Sequence, residues 1–261
     1  PEKQTMTRLK NKTALITGAT SGIGLATARA LAQEGCRLII TGRRDKRLAE
    51  ISQELKRLVP VLNLNFDVRD RGRVFDLLSQ LPEEFNQIDI LINNAGNAHG
   101  LDFIQEGDPD DWDAMIDINV KGLLYVSKAV IPGMVSRGQG HVIHIGSTAG
   151  KEVYPKGNVY CASKHAVDAL NHGMRIDLNG KGIKVSAIHP GLVETEFSQV
   201  RFKGDTGRAE QVYKGFTPLT AQDIAEIIVF VLSRPAHVNI ADLMVMCLDQ
   251  ASSTIVNKIN L

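Results

Sequence analysis

The feature that most constrains this chain is an alternation of short apolar runs with longer amphipathic stretches. Thr13-Ala-Leu-Ile-Thr17, Arg37-Leu-Ile-Ile-Thr41, Val61 to Phe66, Ile88-Asp-Ile-Leu-Ile92, His141-Val-Ile-His-Ile145 and Lys184 to Ile188 read as strands, with Leu243 to Leu248 as the last. Helical periodicity fills the intervals Ile23 to Glu34, Asp45 to Leu58, Asp70 to Leu81, Trp112 to Val135, Val159 to Leu178 and Thr220 to Leu232. Asp45 reads as the N-cap of the second helix, whose Leu48, Ile51, Leu55 and Leu58 share one face. Pro132 reads as an interruption of the fourth. Repeated strand–helix units join through right-handed crossovers into a parallel sheet with helices on both faces. The expected fold is therefore α/β, a single-domain Rossmann-type doubly wound sheet. A length of 261 residues suits one such domain, over 11–261. Residues 1–10 are polar, lack the apolar core of a signal peptide, and read as a flexible N-terminal segment. Pro190 to Thr217 shows no periodicity and follows the sixth strand, at the end where such sheets hold ligands. Residues 192–217 therefore read as a substrate lid.

Composition excludes several classes of partner. Lys+Arg number 30 against 29 Asp+Glu, which leaves no basic footprint for nucleic acid. No apolar run approaches the roughly 18 residues of a membrane span. The 3 cysteines, Cys36, Cys161 and Cys247, form no CxxC pair, so a disulfide framework and a zinc ribbon are both unsupported and a reducing, cytoplasmic setting is expected. His141 and His144 fall on opposite faces of one strand, and no metal site is expected.

The first strand exits into Thr17-Gly18-Ala-Thr20-Ser21-Gly22-Ile23-Gly24. Glycines there permit positive φ and let backbone N–H groups approach a pyrophosphate, while the next helix aims its positive end at the same charge. An NAD site expects a carboxylate after the second strand, to accept from the ribose 2′-OH. This chain has Arg43 and Arg44, whose guanidiniums suit a 2′-phosphate, so the expected cofactor is NADP. Asp67, followed by Val68, suits two compatible roles, accepting from the adenine amino group and capping the helix that starts near Asp70. Tyr160 and Lys164 are four apart on a helix and share a face. An ammonium beside a phenol favours the phenolate, so Lys164 is expected to lower the pKa of Tyr160 and fit it to take a proton from an alcohol or return one to a carbonyl. Ser147, just past the fifth strand, is placed to hold the reacting oxygen. Asp108-Pro-Asp-Asp111 reads as a solvated helix start, and Cys161 as a packing residue.

These motifs resemble the short-chain dehydrogenase/reductase family. The resemblance runs through the turn at 17–24, Asn93-Asn-Ala-Gly96, Asn119, Ser147, Tyr160-Cys-Ala-Ser-Lys164, and Pro190-Gly-Leu-Val193 with Thr195. Gly146-Ser-Thr-Ala-Gly150, Glu196 to Asp205 and Pro235 to Ile240 are similar to the NADP-dependent 3-hydroxy acid dehydrogenases. The resemblance implies oxidation of serine, allo-threonine and related β-hydroxy acids, or reduction of malonic semialdehyde, by a homotetramer. It implies that Lys164 also holds the nicotinamide ribose and that Asn119 binds a water linking Lys164 to solvent. It places Asn94, Ala95 and Gly96 against the adenine ribose, and Pro190, Gly191, Val193 and Thr195 at the nicotinamide end. Glu194-Thr195-Glu196-Phe197 is one residue shorter and more acidic than the pattern of that subfamily. A hydroxy acid needs a cation for its carboxylate, and Arg201 in the lid is the first candidate, ahead of Lys203. The competing readings are a reductase of diketones, ketols or acyl-carrier ketones, and a nucleotide-sensing regulator without turnover.

Overall fold

The computed structural model describes residues 8–259. In chain order its regular elements are β1 (Thr13–Ile16), α1 (Gly22–Gln33), β2 (Arg37–Gly42), α2 (Asp45–Leu55), β3 (Val61–Asn65), α3 (Arg71–Ser79), β4 (Ile90–Asn93) and α4 (Pro109–Ile116). A π-helical segment, Asp117–Gly122, joins α4 to α5 (Leu123–Arg137), followed by β5 (Gly140–Ile145), α6 (Asn158–Asp177) and β6 (Ile183–Pro190). The last stretch holds β7 (Val193–Glu194), α7 (Phe197–Arg201), α8 (Thr206–Val212), β8 (Leu219–Thr220), α9 (Ala221–Leu232) and β9 (Asp242–Val245).

Seven strands form one parallel sheet in the order β3-β2-β1-β4-β5-β6-β9. The central strands β1, β2 and β4 are buried almost throughout because both faces of the sheet are covered there, while the edge strands β3 and β9 are partly exposed. Ile16, Ile40 and Ile92 face Leu31 of α1 and Ile224 and Ile228 of α9. Their chain neighbours Leu15, Ile39 and Leu91 face the opposite way, onto Val74 and Leu78 of α3 and Val126, Val130 and Met134 of α5. Strand order reverses between β1 and β4, and the crevice beyond their C-terminal ends is where a sheet of this kind holds its ligand.

Several local expectations are corrected. Asp45 is the first residue of α2; Arg44 takes the cap position, and the Asp45 carboxylate lies in the first turn, where the helix dipole favours it. Asp70 caps α3, accepting from Arg73 N at 2.9 Å, so Asp67 does not. The long fourth helix begins at Pro109 and continues through Pro132; its irregularity is the π segment at Asp117–Gly122. Gly122 passes so close to Val68 that a Cβ would lie 2.5 Å from its Cγ2, a close approach accommodated at the π segment. Arg8 to Lys10 belong to the packed body: Leu9 is buried and Arg8 Nη1 donates to Ser233 O at 2.9 Å. Residues 1–7 of the expected flexible segment lie outside the described residues.

Candidate active site

One cleft of about 660 Å³ opens at the C-terminal ends of the strands, and every residue assigned above to cofactor, substrate or catalysis lines it except Gly24, Asn119 and Lys203. Gly18 and Gly22 hold φ of +66° and +51°, conformations that a side chain would strain. Ser21, the N-cap of α1, makes no side-chain capping bond, leaving the first-turn N–H groups of α1 for a ligand anion. Gly24 has a different reason to lack a side chain. A Cβ there would lie 2.4 Å from both Asn94 Nδ2 and Gly18 O. Asn94 Nδ2 donates to Thr17 O and Gly18 O, and Asn94 N to Thr17 Oγ1, so the amide ties β1 to β4 at the point where strand order reverses.

The far end of the cleft is basic. Arg44 donates through Nε to Thr20 Oγ1 and through Nη2 to Thr20 O, which fixes the guanidinium above the turn. Arg43 is more exposed and lies 3.7 Å from Asp67. Burial raises the carboxyl of Asp67, but hydrogen bonds from Arg69 outweigh it and hold the group below the usual carboxylate range, so Asp67 faces the cleft as an anion. Arg47 adds a third guanidinium, three residues beyond Arg44 on the same side of α2. Sequence reasoning passed over Arg47, although its place in Arg43-Arg44-Asp45-Lys46-Arg47 was the available signal. An uncapped helix start and a guanidinium cluster fit the pyrophosphate and 2′-phosphate of NADP. The Arg43→Ala, Arg44→Ala double variant is expected to lower kcat/KM with NADP by roughly 10- to 100-fold, the worth of one or two charge-assisted hydrogen bonds, and to leave NAD turnover nearly unchanged. Initial rates with the two nucleotides check this, and a retained NADP preference overturns the assignment.

At the near end, Tyr160 in the first turn of α6 and Ser147 just past β5 bring their hydroxyls to one wall. Lys164 is buried and donates from Nζ to Ile145 O at 3.0 Å. The expectation that Lys164 lowers the proton affinity of Tyr160 is not met. Burial pushes the phenol well up and the neighbouring Tyr154 adds to it, while Ser147 and Arg201 pull the other way without overcoming them. Burial also pushes Lys164 itself down to about 8, so it keeps its charge at neutral pH and loses it on the alkaline side. Tyr160 therefore stands as a neutral acid, the form that gives a proton to a carbonyl. Asn119, in the π segment, spends its amide on protein: Nδ2 donates to Asn97 O and Ser163 Oγ, and Oδ1 accepts from Asn97 N at 2.8 Å. It fixes Asn97 and α6, and of the side chain a second lone pair of Oδ1 remains for the implied water.

The lid is folded. The stretch without periodicity carries β7, α7 and α8, elements of 2, 5 and 7 residues that are too short to show a period, and β7 pairs with β8 just beyond its end. Arg201 at the end of α7 donates through Nε to Gly100 O, and Gly100 N donates to Arg201 O, which clasps the lid to the loop before α4. Arg201 Nη1 donates to the Tyr154 hydroxyl at 3.0 Å, its guanidinium carbon lies 5.4 Å from the centre of the Tyr160 ring, and Nη2 is buried without a partner. Lys203 turns outward to Asp111, 3.0 Å away, and anchors the lid. Tyr154 was missed because no spacing marks a lone aromatic in a loop.

Other candidates fall away. His141 pairs with Ser186 and His144 with Asn93, and burial pushes them down to about 3 and 4, so both are neutral core residues. Among the described residues Asp168, His189 and Asp242 lie close enough to share an ion, but Lys151 Nζ sits 2.7 Å from each carboxylate and supplies the cation.

A doubly wound parallel sheet, a phosphate turn at its first crossover and a Ser147, Tyr160, Lys164 set at the strand ends define a nicotinamide-dependent oxidoreductase. The short chain dehydrogenase family model matches residues 12–206, and the chain belongs to that family. It is 47% identical over 238 residues to the NADP-dependent 3-hydroxy acid dehydrogenase YdfG of Escherichia coli K12, covering 91% of this chain and 95% of that one. It is 45% identical over 240 residues to sulfoacetaldehyde reductase 2 of Chromohalobacter salexigens, with coverage of 92% and 95%. Among solved structures it resembles the closed form of serine dehydrogenase complexed with NADP+, with TM-score 0.90 and 44% identity, covering 95% of this chain and 100% of that one.

Proposed function

We propose that this enzyme is an NADP-dependent 3-hydroxy acid dehydrogenase, transferring hydride between the nicotinamide and the hydroxyl carbon of short acids of the serine, allo-threonine or 3-hydroxypropionate type. The observation that carries the substrate class is the partnerless Nη2 of Arg201 beside Tyr160. A buried guanidinium N–H without an acceptor costs stability, and a carboxylate satisfies it. In a 3-hydroxy acid the carboxylate lies two carbon–carbon bonds from the hydroxyl carbon, a spacing that lets one molecule reach both groups. Tyr154 completes the cradle. Its hydroxyl accepts from Arg201, which turns its own hydrogen to other partners.

Bound NADP supplies the hydride acceptor or donor. This chain's part is to hold and protonate. Ser147 hydrogen-bonds the reacting oxygen, Tyr160 exchanges its proton, and Lys164 is placed by Ile145 O to hold the nicotinamide ribose. Small uncharged ketones leave Arg201 unsatisfied, which argues against the ketol and diketone reading. A panel of 3-hydroxy acids and matched uncharged alcohols, assayed with NADP, tests the proposal: acids are expected to lead by about 100-fold or more in kcat/KM, consistent with 2–5 kcal/mol for satisfying a buried charge. Equal rates for both classes would refute it.

The finer expectations of homotetrameric assembly and cytoplasmic residence belong to the same proposal. Leu248 is fully exposed and Met244 on edge strand β9 is 40% exposed, an apolar edge suited to a second copy. The cysteines are free and buried, and no helix among the described residues is long and apolar enough to cross a membrane.

A further inference from the structure

The lid reaches back across the cleft to the basic shelf. Glu196 places Oε2 2.8 Å from Arg44 Nη1 and Oε1 3.3 Å from Arg47 Nη2. Arg44 is already committed to Thr20 through Nε and Nη2, so Nη1 is the edge it offers to an anion. Two guanidiniums gripping the two oxygens of one carboxylate just past β2 meet the same demand that a phosphate monoester would make there. The residue before Glu196, Thr195, rests over the phosphate turn, 3.4 Å from where a Cβ on Gly22 would lie. The acidic residue and the turn contact thus sit on the same short stretch of lid.

We propose that Glu196 is a built-in stand-in for the cofactor's 2′-phosphate. Carboxylate and phosphate compete for Arg44 and Arg47, so NADP releases this end of the lid, while NAD leaves the clasp shut. The inference rests on the reading of the shelf as an NADP site. A phosphate monoester carries about −1.5 to −2 charges at neutral pH against the single charge of Glu196, so the nucleotide wins the exchange once bound. The exchange still costs affinity, because the arginines give up a satisfied partner. Arg44 and Arg47 are each 45% exposed and Glu196 is 36% exposed, so the cost is modest. Glu196 thereby sets how strongly the enzyme discriminates between the two nucleotides without touching the nicotinamide.

The test is a titration of NADP and NAD into the whole enzyme and into Glu196→Gln, which keeps the side chain's size and removes its charge. NADP is expected to tighten by about 3- to 10-fold, the worth of two partly exposed ion pairs, with NAD unchanged within about twofold. In an Arg47→Ala background the gain from Glu196→Gln is expected to shrink, because one arm of the competition is gone. An NADP affinity that stays the same or weakens in Glu196→Gln overturns the proposal. So does an equal shift for both nucleotides, which would mark a general effect on the lid. A parent enzyme that shows no preference for NADP over NAD would sink the cofactor reading itself, a failure visible before any variant is made.

Discussion

Tyr160→Phe is expected to lower kcat by about 10²- to 10⁴-fold while leaving NADP affinity within a few-fold. The ring is buried and packs against Phe197 at 5.8 Å between centroids, so the phenylalanine keeps its packing and loses only the hydroxyl. The pH dependence carries a second signature. Oxidation needs the phenolate, so kcat/KM for a hydroxy acid rises with pH until the phenol has ionised. Reduction needs the neutral phenol, so its rate falls as pH rises through the same group. Burial pushes that group up, which places the oxidative limb on the alkaline side of neutrality and favours reduction near pH 7. In Tyr160→Phe both limbs are expected to flatten. Paired pH–rate profiles check this. Near-full turnover in the variant, or an oxidative limb that survives it, would move the proton transfer to another group.

The elements that were legible in the chain are those whose chemistry is encoded locally. Gly18, Gly22 and the following helix are adjacent in sequence, and Tyr160 with Lys164 spans a single turn, so spacing alone places them on a common wall. A parallel sheet with helices on both faces followed from the repeated strand–helix unit and the handedness of its crossovers, whereas the order of its strands emerged only in the structure. What stayed hidden depends on contacts between distant residues or on burial. Arg44 meets Glu196 across 152 positions, which no window of sequence reveals. Tyr154 has no motif, and its importance appears only once α7 brings Arg201 onto it. The proton affinity of Tyr160 was misread for the same reason: a lysine four residues away suggests a lowered value, but spacing does not encode desolvation, and desolvation is the largest influence. The π segment left no trace because its apolar residues Ile118 and Val120 fit a helical pattern as well as any.

Arg201→Leu is expected to lower kcat/KM for 3-hydroxy acids by roughly 30- to 5000-fold, in line with the 2–5 kcal/mol of losing one partner of a buried charge pair. The loss should fall mostly on KM if the carboxylate is held equally in the ground and transition states. Arg201 also clasps the lid through Gly100, so the substitution alone does not separate carboxylate recognition from lid damage. Two comparisons do. A matched alcohol with a neutral amide or methyl group in place of the carboxylate reports on the lid, and its turnover should change by less than about threefold. Arg201→Lys keeps a cation but loses the planar fork, and is expected to recover only part of the acid activity. Tyr154→Phe removes the hydroxyl that Arg201 Nη1 reaches and should cost about 10-fold for acids alone, a single hydrogen bond to a charged group. If acids and neutral alcohols lose activity in parallel across these variants, Arg201 is a hinge of the lid and the substrate carboxylate is bound elsewhere in the cleft.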